Sequence, residues 1–353
     1  MSSIKVIHIE SGLGNQMLSY CELLAIKMMN PTDKCYVETL VYDIPECNEA
    51  ICQWNGYELE RIFEINTPNV RELFDSSTWR QIYDEVHESR FWEKNWNWPV
   101  AITKAFNHAG LDIENSYGDR TTIAQENSKT FKSYLKNIKF TNTRVGVYLR
   151  GLYYKYTLSK RIAALDKRSK VFIRTNSNLL TGQRLCFKYR GNDIEVIKQE
   201  IEHTFVFPPF EDERSIEFAK FLDGCNSVFI HARRGDMLSA NGWCYKYGYF
   251  RRAVKYIKKN VKDPVFVFFT NTGSIEWCKE NAKTFGLDYS KDKVYFVDWN
   301  TGEESYRDMQ LMSHCKHGII TNSTFGWWGA YFIKNPDKIT ISPELTINTT
   351  YHC

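Results

Sequence analysis

The most constraining feature of this chain is a regular alternation that begins near residue 227. Strand-like runs fall at Ser227–His231, Val265–Thr270, Lys293–Asp298, Gly318–Thr321 and Lys338–Ser342, with helical runs near 246–260, 274–285, 304–315 and 324–334. Five such steps make a doubly wound parallel sheet. Ligands of such sheets bind at the carboxyl ends of the strands. The opening repeats the theme on a smaller scale. A strand at Lys5–Ile9 runs into a Gly-Leu-Gly turn and then a helix from Asn15 to about Asn30, stopped before Pro31; a strand at Cys35–Val41 follows. Met17, Tyr20, Cys21, Leu24 and Met28 recur at helical spacing, so this helix is expected to pack on a sheet.

At 353 residues the chain has room for two domains and a large core. With 43% hydrophobic and 25% charged residues it is not a disordered, collagen-like or repeat-dominated sequence. It contains no run of 18 apolar residues, and its start, MSSIKVIHIESGLGNQ, lacks the apolar core of a signal peptide. A cytoplasmic protein that does not span a membrane is expected. The ten cysteines form no CxxC pair and suit no zinc site, and reduced thiols are expected.

Residues 42–125 are mixed and contain three tryptophans, Trp92, Trp96 and Trp98, within seven positions. Their flat faces suit stacking on sugars or anchoring in a core. Residues 129–174 then hold thirteen Lys/Arg against a single acid, Asp166, although the whole chain carries only +4. Phe131–Lys139 spaces its apolar residues at i, i+3, i+4 and i+7 with lysines between, and Leu152–Leu165 is similar with three tyrosines. Such stretches suit an anionic membrane surface, or form the solvated face of a large insertion. A short amphipathic helix at Asn192–His203 precedes Phe207-Pro208-Pro209-Phe210, which reads as a hinge. The domains are thus expected at 1–210 and 211–353, the first with an aromatic and basic insertion at about 90–185.

Three clusters follow strands. His231-Ala232-Arg233-Arg234-Gly235-Asp236 puts two arginines at a strand's carboxyl end, suited to a diphosphate because the guanidinium fork binds oxyanions in pairs. A surface salt-bridge cluster is the alternative. In Thr321-Asn322-Ser323-Thr324-Phe325-Gly326-Trp327-Trp328-Gly329-Ala330, small hydroxyl residues at a helix start offer donors to an anion, or simply cap a helix whose tryptophans enter the core. Gly12-Leu13-Gly14-Asn15-Gln16 is a fragment of a glycine-rich phosphate loop without its third glycine. Asp308 lies on a helix that packs by Met309 and Met312, leaving its carboxylate either to a guanine edge or to solvent.

Together, Gly12–Met17, His231–Asp236 and Asn322–Ala330, in that order, resemble the bacterial α-1,2-fucosyltransferase family; Asp308–Ser313 and Asn55–Phe63 look similar to it as well. The start departs from the family pattern with Met17-Leu18-Ser19-Tyr20 where Phe-Gln-Tyr-Ala is usual after Met, and Gly326 replaces the more frequent Ser. The resemblance implies an α/β fold of GT-B type, two Rossmann-like domains facing a cleft, with the nucleotide sugar on the C-terminal one. It implies a GDP-β-L-fucose donor, a terminal β-galactoside acceptor, inversion at the anomeric carbon and no metal or other cofactor. By that similarity Arg233 takes the diphosphate, and Arg234 holds the site or the fucose. Ser323, Thr324 and Phe325 supply further donors, and His231 and Asp308 read the guanine. Asn15 and Gly14 face the fucose and acceptor. For the base, Asp236 comes first and Glu10 second.

A different linkage or acceptor is the nearest competing reading, followed by a non-catalytic nucleotide-sugar-binding protein. Nucleic-acid binding would explain the basic segment but none of the three motifs. A cytoplasmic enzyme at the inner face of the membrane would use that segment as a peripheral contact.

Overall fold

The computed structural model describes residues 4–29, 31–51, 55–115, 179–180 and 197–343, with scattered positions between 143 and 160. It divides into two compact units, 1–206 and 207–353. Arg307, buried in the second unit, donates to the carbonyls of Pro208 (3.0 Å) and Pro209 (2.8 Å), so the proline pair is tied to that unit.

The first unit is built on β1 (Ile4–His8), β2 (Lys34–Glu38) and β3 (Leu179–Leu180), all parallel in the order β2-β1-β3. The helix after β1 runs Leu13–Met29, beginning two residues ahead of the expected start because the Gly12 carbonyl already accepts from the amides of Asn15 and Gln16. Met17, Tyr20 and Cys21 are buried as the spacing predicts. Met28 is exposed, because the helix outruns the sheet in its last turn. The tryptophan-rich stretch forms a turn at Phe91–Glu93 and then a helix at Trp98–His108. Trp98, Phe91 and Phe106 are fully buried with Val6, Val41 and Val86, so this stretch anchors the core. Most of 129–174 lies outside the described residues.

The second unit carries five parallel strands, β4 (Ser227–His231), β5 (Val265–Phe269), β6 (Lys293–Phe296), β7 (His317–Ile319) and β8 (Thr340–Ile341), in the order β6-β5-β4-β7-β8. All of β4 and β5 is buried, as strands covered by helices on both faces must be. The alternation therefore produces the expected α/β architecture. The helical run at 274–285 is split into Ile275–Glu280 and Ala282–Phe285, where Asn281 leaves helical geometry. Strand β7 stops at Ile319, short of the expected Thr321, whose hydroxyl turns to the carbonyl of His231 at 3.4 Å. Counting outward, β4 to β6 run one way and β7 to β8 the other, so the order reverses between β4 and β7. Such a reversal opens a crevice at the strands' carboxyl ends. Among the described residues no helix is long and apolar enough to cross a membrane.

Candidate functional site

Both C-terminal motifs meet at that reversal. The segment His231–Asp236 leaves the end of β4, and Thr321–Phe325 leaves the end of β7. His231 is buried, 5.8 Å from the Phe325 ring between centroids, and its Nδ1 makes no hydrogen bond. A Cβ at Gly326 would run into that same nitrogen, so glycine here is what lets the helix pass against the imidazole. Burial, assisted by the positive charge of Arg233, pushes the His231 pKa down to about 3. The ring is therefore neutral at physiological pH, with one nitrogen able to donate and the other to accept.

The arginine pair is held from beneath. The Arg233 carbonyl accepts from the Tyr245 hydroxyl at 3.0 Å, and the Arg234 amide donates to Asn271 Oδ1 at 2.9 Å. The Arg234 guanidinium lies over the Trp277 ring, 3.4 Å from its centroid, with Tyr245 5.0 Å away. Gly235 turns at φ +52, and a Cβ there would meet Asn271 Nδ2 at 2.6 Å. Asp236 lies in the short turn Gly235–Met237; its side chain is outside the described residues. Asn271, Tyr245 and Trp277 are site-shaping residues that no motif singled out. Asn271 was findable in principle, as a polar residue two positions past β5 in Thr270-Asn271-Thr272-Gly273.

The helix Thr324–Phe332 begins at Ser323, whose extended backbone and lack of a side-chain cap bond leave its hydroxyl and the first-turn amides at the crevice. Trp328 is fully buried, as a core residue, and Trp327 stacks on Tyr331. Gly329 packs against Met312, where a Cβ would meet Sδ at 2.6 Å, which brings the helix Tyr306–His314 alongside. That helix buries Met309, Leu311 and Met312 and leaves Asp308 partly exposed. Asp308 accepts from Asn300 Nδ2 at 2.8 Å. Burial raises its pKa to about 7, against the lowering effect of that bond and with a further push from Asp298.

Gly14 and Asn15 lie in the other unit, in the first turn of the helix after β1, with Gly14 buried and Asn15 half-buried. Their neighbour Gln16, fully buried, organises the turn. Its Nε2 donates to the carbonyls of Ser11 (2.9 Å) and Gly56 (2.8 Å), and its Oε1 accepts from the Glu58 amide (2.9 Å). The stretch from Asn55 is thereby pinned to the glycine turn.

Comparisons with known proteins bear on the same regions. Residues 213–352 match the model of Glycosyl transferase family 11. An α-1,2-colitosyltransferase of Escherichia coli is 40% identical over 135 residues, 36% of this chain and 43% of that protein. The O-antigen biosynthesis glycosyltransferase WbnK of Escherichia coli is 24% identical over 95% of this chain and 92% of its own length. A galactoside α-(1,2)-fucosyltransferase 1 of Plecturocebus brunneus is 35% identical over 109 residues, 30% of this chain and 28% of that protein. The chain thus spans less than half of two of these three relatives. Among solved structures, a NodZ α-1,6-fucosyltransferase crystallised with GDP covers 93% of this chain at 11% identity and a TM-score of 0.43. Residues 213–352, where both crevice motifs lie, are thus the part of the chain that is similar to glycosyl transferase family 11.

Proposed function

We propose that this chain transfers L-fucose from GDP-β-L-fucose to the 2-hydroxyl of a terminal β-galactoside, with inversion and without a metal. The observation that carries the reading is that two segments rich in arginine and hydroxyl residues, His231–Arg234 and Asn322–Phe325, follow the adjacent strands β4 and β7 at the order reversal. The leaving group is a diphosphate, so catalysis consists mainly of stabilising charge as the glycosidic bond breaks. Arg233 takes that charge. Arg234, seated on Trp277, holds the loop in place. Ser323, Thr324 and Phe325 add hydroxyl and amide donors, and neutral His231 with Asp308 reads the guanine. Asn15 and Gly14 serve the fucose and the acceptor. The name of the fucosyltransferase relative supports the transferred sugar, the galactoside acceptor and the linkage.

A second reading is favoured by the name of the colitosyltransferase relative: the transferred sugar lacks the 3-hydroxyl of fucose. Both are tested by following GDP release from GDP-fucose with and without lactose, in EDTA, and repeating with the 3-deoxy donor. Galactoside-dependent release that survives chelation supports the proposal, and linkage analysis of the product identifies the hydroxyl. No release, together with no binding of GDP by calorimetry, refutes it.

Peripheral contact with an anionic membrane belongs to the same proposal. Its support is the +12 segment 129–174 and six exposed apolar residues at helical spacing within it, Val145, Tyr148, Leu149, Leu152, Tyr153 and Tyr156, the last 85% exposed. Sedimentation with phosphatidylserine vesicles but not phosphatidylcholine ones is expected; equal sedimentation with both removes this contact.

A further inference from the structure

The chain leaving β6 is fixed at three consecutive residues. Asp298 pairs with Arg214 at 3.4 Å, and the Arg214 guanidinium lies over the Trp299 ring, 3.8 Å from its centroid. Trp299 donates from Nε1 to Ser215 Oγ at 3.0 Å and stands edge-on to Phe218. Ser215 is fully buried, and its amide donates to Asp212 Oδ1 at 2.7 Å, the cap of the helix Glu213–Gly224. With its two predecessors clamped to that helix, Asn300 reaches the helix Tyr306–His314 and donates from Nδ2 to Asp308 Oδ1 at 2.8 Å. Among the described residues this is the one hydrogen bond that Asp308 accepts.

A carboxylate has about four lone-pair sites, and Asn300 takes one of them. The others are left for a ligand at the partly exposed Asp308. An amide N–H₂ only donates, so its bond to Asp308 is strongest when the carboxyl is ionised. It works against burial, the larger effect, and against the negative charge of Asp298; the three together leave the pKa at about 7. The other charges around Asp308 are engaged elsewhere. Arg214 pairs with Asp298, and Glu304 with Arg307 at 3.2 Å, while Arg307 also donates to the carbonyls of Pro208 and Pro209. Glu303, in the preceding turn, is exposed. The neighbouring helix Thr324–Phe332 carries no charged residue, and on the helix Glu213–Gly224 Asp223 lies against His314, at the other end of the Asp308 helix. Asn300 is thus the neighbour that favours the charged form.

We propose that Asn300 is a positioning residue that holds Asp308 as a carboxylate with its remaining lone pairs open to the base, and so sets the preference for guanine over adenine. The proposal rests on the guanine role given to Asp308 above. Guanine brings two donors, N1–H and N2–H₂, and both pair with a carboxylate. A protonated Asp308 meets them with a donor of its own, because Oδ1 already accepts from Asn300 and the proton goes to Oδ2. Adenine has no such pair of donors, so the adenine nucleotide gains nothing from the charge. Selectivity for guanine therefore increases with pH as Asp308 ionises, and Asn300 sets the pH at which it does.

The readout is the ratio of GDP to ADP affinity, measured by titration calorimetry between about pH 5 and 8.5. Ionisation of the diphosphate is common to both nucleotides and cancels in the ratio. His231, the other residue assigned to the base, has its pKa at about 3 and does not titrate in this window. In the wild type the ratio should rise with pH and level off above about pH 8. Asn300→Leu keeps the shape of the side chain and removes the donor. Loss of a hydrogen bond to a charged group moves the midpoint up by about one to two pH units. At pH 7 the ratio then falls about 5–50-fold, and it recovers as pH rises. A purely structural role would weaken GDP and ADP together, or lower the ratio by one factor at every pH; either result, with the midpoint in place, overturns the proposal. Should Asn300→Leu fail to fold, Asn300→Asp puts a second acid where the donor stood and should raise the midpoint at least as far; a midpoint at or below that of the wild type overturns the proposal. Asp308→Asn should abolish the pH dependence of the ratio. A ratio that still rises in that variant shows that another group titrates, and the role of Asn300 falls. If the wild-type protein prefers GDP to ADP at no pH, the guanine reading itself has failed and the proposal with it, a separate outcome seen without any variant.

Discussion

Asp308→Asn separates what this residue costs the fold from what it does for the nucleotide. In the native structure its pKa is raised from 3.8 to about 7, chiefly by burial. A carboxyl whose pKa is raised on folding contributes stability that is fully present below 3.8 and is lost as pH climbs through 7. The rise of roughly 3 units corresponds to at most about 4 kcal/mol, and partial exposure of the residue halves this to roughly 2 kcal/mol. Asparagine is neutral throughout and can still accept from Asn300 Nδ2, so the variant recovers that loss at pH 8 and almost none of it at pH 4. For a unit of this size the gain is about 4–8 °C in Tm at pH 8, measured by thermal melts of the ligand-free protein at both pH values. Guanine's N1–H and N2–H₂ pair with a carboxylate but not with the amide's N–H₂. The same variant should therefore bind GDP about 10–100-fold more weakly, the size of a lost charge-assisted hydrogen bond, with ADP unaffected. In the wild type, GDP affinity should rise between pH 6 and 8 as Asp308 ionises. A Tm gain equal at pH 4 and pH 8 would refute the burial argument. Unchanged GDP affinity in the variant would refute the guanine assignment.

Other substitutions probe the remaining parts. Arg233→Ala should lower kcat by more than about 100-fold, on the scale of a lost electrostatic stabiliser; near-normal turnover in a GDP-release assay would remove Arg233 from the diphosphate. Gly326→Ala forces a Cβ onto His231 Nδ1, so it should destabilise by about 1–3 kcal/mol in urea unfolding and weaken GDP in calorimetry; an unaffected titration would show that the imidazole is not in the donor site. Gln16→Ala removes three hydrogen bonds around the glycine turn, one buried and two part-buried, and should cost roughly 3 kcal/mol, read as a lower urea midpoint; a loss under about 1 kcal/mol would mean the turn holds itself.

Fold class was legible because it is written in local patterns. Each strand of the second unit is a short apolar run within a few residues of its observed bounds, and parallel pairing follows from the helices between them. Position along the sheet was legible only in part. Sequence order shows that His231 and Thr321 each follow a strand, but not that β4 and β7 are neighbours; that adjacency comes from the pairing of Val228 with His317 and of Ile230 with Ile319. Motif residues were visible as motifs, whereas Asn271, Tyr245 and Trp277, which hold the arginines, have no spacing to mark them.

The buried group at the end of β1, where Glu38 and Glu10 flank the ring of His8, lies at the far limit of what sequence carries. Glu10 can be noticed because it stands beside the glycine turn, but its charge environment depends on Glu38, 30 residues from His8, and on Trp96, 86 residues from Glu10. Sugar stacking and core anchoring were both open to the tryptophans, since both require flat apolar rings. The structure separates them by geometry: Trp98 is spent on His8, and Trp96 turns its one polar atom to Glu10. Asn95 and Trp96 both adopt a positive φ to present that nitrogen, at 56 and 55, a conformation non-glycine residues hold only when their surroundings impose it. The side chains of His8 and Trp96 thus meet on one Glu10 oxygen, a contact that nothing in the sequence around Trp96 marks.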